Sequence, residues 1–64
     1  MIKRIYNLLK ENGINTDVNI IEAILNGNGT SADGDILDII ETIRNYCQQT
    51  DEATAIINEL YTLM

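Results

Sequence analysis

The sequence of 64 residues has no histidine and one cysteine, Cys47. A lone cysteine cannot form a disulfide within the chain, and without histidine or a second cysteine the ligands of a structural zinc site are missing. General acid–base catalysis uses histidine, or carboxylates whose pKa is moved by burial and neighbours. Every carboxylate here falls on a polar helix face, in a cap or in a loop, so the sequence predicts a protein that is not an enzyme and has no cofactor.

Cys47 is the one residue that could act as a covalent nucleophile. Arg44 lies one helical turn earlier and could lower the pKa of the thiol. Cys47 also shares an apolar stripe with Ile40 and Ile43, however, and no general base is adjacent. The pattern therefore favours a buried, unreactive thiol.

Positive charge is scarce beyond the first ten residues. Residues 1–10 contain three of the four bases and no acid, whereas residues 11–64 contain all ten acids and one base, for a net charge of −6. Duplex DNA and anionic membranes are bound through Lys and Arg, so neither is expected as a direct ligand. The composition predicts a protein partner with a basic surface, or an apolar one.

The sequence also lacks a long apolar run. No segment approaches the ~20 residues of a membrane span, and no part of residues 1–20 has the pattern of a signal peptide, so we expect a cytoplasmic protein. Ile, Leu and Val nevertheless total nineteen residues, twelve of them Ile, which is more than a disordered chain contains. We expect one domain, 1–64, with a small core.

The apolar residues recur at offsets of three, four and seven, which is the periodicity of amphipathic helices. They also fall at adjacent positions, a pattern that excludes alternating strands. The sequence therefore predicts an all-α fold, a small bundle of four short helices over about 2–12, 17–26, 35–48 and 51–63.

Start and stop signals support these segments. Gly13 is expected just after the first helix, and Thr16 and Thr50 are predicted to cap the second and fourth helices. For the third helix, three caps remain open: Ser31, Asp33 or Asp35.

The loop over 26–34, NGNGTSADG, has no lysine after its glycines and cannot be a Walker-type phosphate loop. A calcium loop with Gly29 at its sixth position would place Asp35 at the twelfth, but Ile24 at the first and Ala32 at the ninth. Because the first position needs an oxygen ligand, turn formation explains the Asn and Gly residues better, and no metal is predicted.

The third helix has an apolar arc wider than a surface helix needs, because five of the eight residues from Ile36 to Ile43 are large aliphatics. The candidate self-association face within it consists of Ile36, Ile39, Ile40 and Ile43. The helix is either central, with neighbours on two sides, or it presents a self-association face. The second interpretation gives the alternative function, a homodimeric structural or regulatory adaptor.

The remaining feature is an acidic face, which we define as Asp33, Asp35, Asp38 and Glu41. Helix capping and solubility explain part of it. The functional interpretation is a surface that occupies a basic, nucleic-acid-handling site on a protein partner, because its carboxylates replace phosphates. In size and charge the chain resembles phage-encoded inhibitors of host nucleases, restriction or CRISPR effectors, and this resemblance implies a DNA mimic of anti-defence type.

Bases near the N-terminus are expected to pair with the protein's own acids or with those of a second copy: Lys3, Arg4 and Lys10.

Overall fold

A computed structural model describes residues 1–27 and 34–64, and within these ranges the chain is entirely helical, with no strand. Its elements are α1 (Ile2–Glu11), α2 (Val18–Leu25), α3 (Ile36–Tyr46) and α4 (Asp51–Thr62). The predicted all-α architecture is thereby confirmed. The cap candidates Ser31 and Asp33, and half of the calcium register over 24–35, lie outside the described residues.

The end of α1 follows the glycine signal. Gly13 has a φ of +76°, and its N–H donates to Lys10 O at 3.0 Å, while Ile14 N–H donates to Leu9 O at 2.9 Å. These two bonds form a Schellman motif, which satisfies carbonyls that the helix leaves open. The link to α2 therefore starts from a fixed geometry, with Ile14 packed against the core.

The start of α2 differs from the prediction. Asp17, rather than Thr16, is the N-cap, and its carboxylate accepts a hydrogen bond from Asn19 N–H at 2.7 Å. Both residue types cap helices well, and apolar periodicity does not distinguish two adjacent positions. Asp17 thus has a structural role in addition to its charge.

The helix α3 ends at Tyr46, two residues before the predicted boundary, because Cys47 is extended, with φ −104° and ψ 153°. The side-chain amide of Gln49 then donates to three carbonyls at the helix end, those of Ile43, Arg44 and Cys47, at 2.9–3.2 Å. Ile43 O also accepts from Cys47 N–H at 3.2 Å, so the helix carbonyl left open that Gln49 satisfies is that of Arg44.

The helix α4 begins as predicted. The hydroxyl of Thr50 accepts a hydrogen bond from Ala53 N–H at 3.2 Å, and Asp51 and Glu52 occupy the first turn. Acids at this position interact favourably with the positive end of the helix dipole.

All four helices contribute to one core. Helix α1 packs against α2 and α4, and α3 packs against α4. The helices α2 and α3 are not among these closely packed pairs. The buried side chains are Ile5, Leu8, Leu9, Ile21, Ile24, Ile39, Ile40, Ile43, Cys47, Ala53, Ile56, Ile57 and Leu60. Across the described ranges, none of the helices has both the length and the apolar character needed to cross a membrane.

Candidate functional site

The described part of the acidic face lies at the start of α3. Asp35, Asp38 and Glu41 are all exposed, and Asp33 lies outside the described residues. Asp35 is the N-cap: its Oδ1 accepts from Asp38 N–H at 3.1 Å, and Asp38 Oδ2 accepts in return from Asp35 N–H at 2.9 Å. This reciprocal pair is a capping box. Two of the three acids therefore fix the start of α3, and capping holds their carboxylates in place at the surface.

The basic residue Arg4 of α1 forms ion pairs with α4 and not with the described part of the acidic face. Arg4 Nε donates to Glu52 Oε1 at 3.0 Å, and Arg4 Nη1 donates to Glu59 Oε2 at 2.7 Å. These bonds raise the pKa of the Arg4 guanidinium, the bond to Glu52 having the larger effect and that to Glu59 the next. Arg4 thus pairs with acids of its own chain, on α4.

These two ion pairs are the only ones within 1–27 and 34–64. They neutralise carboxylates of α4 and leave Asp35, Asp38 and Glu41 without a basic partner among the described residues. The only base on α3 is Arg44 in its last turn, where its guanidinium carbon lies 6.0 Å from the centre of the Tyr61 ring. The described part of the acidic face therefore retains its negative charge at the surface.

The Ile-rich side of α3 lies inside the protein. Ile40 and Ile43 are fully buried and Ile39 is 7% exposed, while Ile36 is partly buried against the same core. Helix α3 brings these residues together on one side and packs them into the core of its own chain. This favours the interpretation of α3 as a central helix. An adaptor that dimerised through them would need the monomer core to open.

Cys47 is buried, as its place in the apolar stripe predicts. Burial raises the pKa of its thiol, because a thiolate is poorly solvated there. The folded state thus favours the neutral thiol, so this group leaves stability unaffected below its ordinary pKa and lowers it as pH rises through the alkaline range.

We predict that Cys47 reacts with Ellman's reagent much more slowly in the native protein than in urea at the same pH. Reaction should require opening of the segment between α3 and α4. The control is a Cys47→Ser, Thr54→Cys variant, whose thiol replaces an exposed side chain of α4 and should react at the rate of a free thiol. Equal rates for native Cys47 and that control would contradict the burial.

A groove between α2 and α3 was not predicted. It has a volume of about 200 Å³ and is lined mainly by aliphatic side chains, with Asp38 and Thr42 contributed by α3. No sequence signal distinguishes it, because Ile20 lies one turn before Ile24 on the apolar side of α2 and Ile14 lies outside that helix. Ile20 lines the groove and is 43% exposed. The acidic face thus adjoins an apolar surface.

A second, larger groove of about 580 Å³ lies where α1 begins and α4 ends. Its lining is Met1, Ile2, Lys3, Leu25, Asn26 and Leu63. Apart from Lys3, no ionisable side chain of the described residues lines it.

Metal ligands are not grouped in the described ranges: no three His, Cys, Asp or Glu side chains there lie close enough together to hold an ion. The chain matches no protein-family model, no curated protein and no solved structure. Function must therefore be argued from the surface itself.

Proposed function

We propose that this protein is a non-enzymatic acidic binding protein whose acidic face occupies a basic, nucleic-acid-handling surface on a protein partner. The observation that carries the proposal is the separation of charge: Arg4 pairs with acids of α4, while Asp35, Asp38 and Glu41 lie at the surface and have no ion pair within the described residues. A small protein with an unneutralised acidic surface is suited to this role.

Electrostatics explains how such a surface could work. Duplex DNA presents one negative charge per ~1.7 Å of axis, and clustered carboxylates can replace phosphates in a basic groove. With a net charge of −6, the protein would also approach a cationic partner faster than a neutral protein of its size. The capping box keeps two of the carboxylates ordered, so less entropy is lost on binding.

Inhibition of an anti-defence type fits this proposal. The partner would be a nuclease, restriction or CRISPR component whose basic groove the acidic face blocks, which makes the protein a DNA mimic in the electrostatic sense. The absence of histidine and the burial of Cys47 support a mechanism of occlusion without chemistry.

The test compares two charge reversals, Glu41→Lys on the acidic face and Glu22→Lys on α2. Both positions are exposed, and both variants change the net charge equally. Immobilised wild-type protein is incubated at low salt with a nuclease-treated lysate of the host cell. We expect the wild type and Glu22→Lys to retain a basic protein that Glu41→Lys loses.

The protein retained on the immobilised wild type is used for two further tests of the proposal. Duplex DNA should displace the retained protein, and raising ionic strength to about 1 M, where the Debye length is ~3 Å, should release it. Circular dichroism first confirms that both variants are folded. Retention that ignores salt and DNA, and that is equal for the two variants, would contradict the proposal.

A further inference from the structure

We infer that the groove between α2 and α3 receives an apolar side chain from a basic segment of the partner, so that the partner is recognised by an amphipathic, Lys- or Arg-rich helix rather than by charge alone. This inference rests on the proposed function and specifies the chemistry of its partner.

The shape of the groove supports this inference. The helices α2 and α3 are not closely packed against each other, and the space between them is lined by six aliphatic side chains, which are Leu9, Ile14, Ile20, Ile21, Ile24 and Ile39. At about 200 Å³, it has room for a side chain rather than for a drug-sized ligand. Ile20 remains 43% exposed at its edge, and an apolar side chain from a partner would cover it.

The charge around the groove selects the occupant. Among the described residues, Asp38 is the only ionisable one that lines it, and no base does. Glu41 follows Asp38 by three positions on the same helix, and three residues form nearly one turn. An apolar side chain inserted beside Asp38 therefore places neighbouring Lys or Arg groups against carboxylates, whereas Asp or Glu in the same segment would be repelled.

A second copy of this chain does not supply that segment. The one basic amphipathic helix in the described part of the protein is α1, but its Leu8 and Leu9 are buried in the core. Arg4 is already bound to Glu52 and Glu59. The occupant is therefore a segment of another protein.

The test uses three synthetic helical peptides of ~14 residues, a length near the minimum for a helix in water. The first carries Leu at i, i+3, i+4 and i+7 with Lys on the other face. In the second, every Leu is replaced by Gln, a polar residue that forms helices about as well as Leu, and in the third every Lys is replaced by Glu. Each is titrated into ¹⁵N-labelled full-length protein at low salt, and amide shifts give both the site and the affinity.

We expect the first peptide to bind most tightly and to shift the amides of Ile20, Ile39 and Thr42. Ile20→Asn should weaken it by about tenfold, the value of a small apolar contact in a pocket. The matched control is Leu37→Asn, since Leu37 is similarly exposed, at 40%, but lies outside the groove. Asp38→Asn keeps an oxygen for the cap and should also weaken binding, whereas Asp51→Asn, with the same charge change on α4, should not.

The outcomes distinguish a failure of the groove as docking site from a failure of the proposed function. If the first two peptides bind equally, the groove is not the docking site, although an acidic face that attracts cations stands. If the third peptide binds as well as the first, the charge selection is wrong. If neither basic peptide binds, both this inference and the proposed function are overturned.

Discussion

Replacing Ile40 by Asp is expected to unfold the chain rather than to separate two folded copies. Ile40 is fully buried, and an unpaired carboxylate in such a site has a large desolvation cost. Truncation to Ala alone removes ~2–5 kcal/mol, and at roughly 0.05–0.15 kcal/mol per residue a domain of this size has a stability of only a few kcal/mol to about 10. Thermal and urea unfolding followed by circular dichroism would measure the loss for Ile40→Ala and show Ile40→Asp unfolded at 25 °C.

The control for this prediction is Leu37→Asp, on the same helix. Leu37 is 40% exposed, so its replacement adds the same charge at the surface and should leave the helix content intact. A folded Ile40→Asp protein whose mass falls to half that of the wild type would instead identify Ile40 as an interface residue, and would restore the homodimeric adaptor.

The second large effect is expected at Gly34, immediately before the capping box. Gly34 has a φ of +89°, and a Cβ there would lie 2.5 Å from Asp38 Oδ2. A methyl group must therefore displace the carboxylate that accepts from Asp35 N–H, in addition to the cost of a positive φ. We expect Gly34→Ala to lower the free energy of unfolding by ~1.5–5 kcal/mol, because the cost of backbone strain adds to that of a lost cap.

Gly13→Ala separates the two contributions to that loss. Gly13 has a similar φ of +76°, but a Cβ added there would have no neighbour within 4 Å, so only the backbone contribution remains. A double-mutant cycle of Gly34→Ala with Asp38→Ala then isolates the contact. If Gly34→Ala costs no more than Gly13→Ala, the carboxylate moves freely and the capping box does not hold it.

Most of the fold can be read from the sequence because the determinants are local. Apolar periodicity defines four helices, and Gly13 and Thr50 mark boundaries through turn and capping chemistry that depends on neighbouring residues only. The sequence places the cap of α2 one residue too early, since Thr16 and Asp17 are both good N-caps. It places the end of α3 too late because the side chain of Gln49, beyond the helix, donates to the carbonyl of Arg44 that another turn would have bonded.

Contacts between residues distant in the sequence are much harder to predict from the sequence. The sequence indicates that basic residues of α1 pair with acids of the chain or of a second copy, but not that Arg4 bridges Glu52 and Glu59. Likewise, the Asn12 side chain accepts from Gln48 N–H at 3.0 Å, joining the end of α1 to the link before α4. Such pairs depend on how helices pack, which periodicity within one helix does not encode.

In the candidate site, too, local features can be predicted from the sequence and long-range ones cannot. The positions of the acidic residues in the sequence predict an acidic face at the start of α3, and capping preferences explain part of it. That Asp38 also lines an apolar groove depends on the spacing between α2 and α3, so the combination of charge and apolar surface can be recognised only in three dimensions.

The most direct measurement is sedimentation equilibrium of the purified protein at low salt and again at about ten times that salt, which shortens the Debye length about threefold. If the Ile-rich side of α3 belongs to the chain's own core and the acidic face is the free surface, the mass should be that of the monomer, 7.2 kDa, at both salt concentrations. A dimer that persists at high salt would contradict this, because the apolar side of α3 would then be an interface between copies.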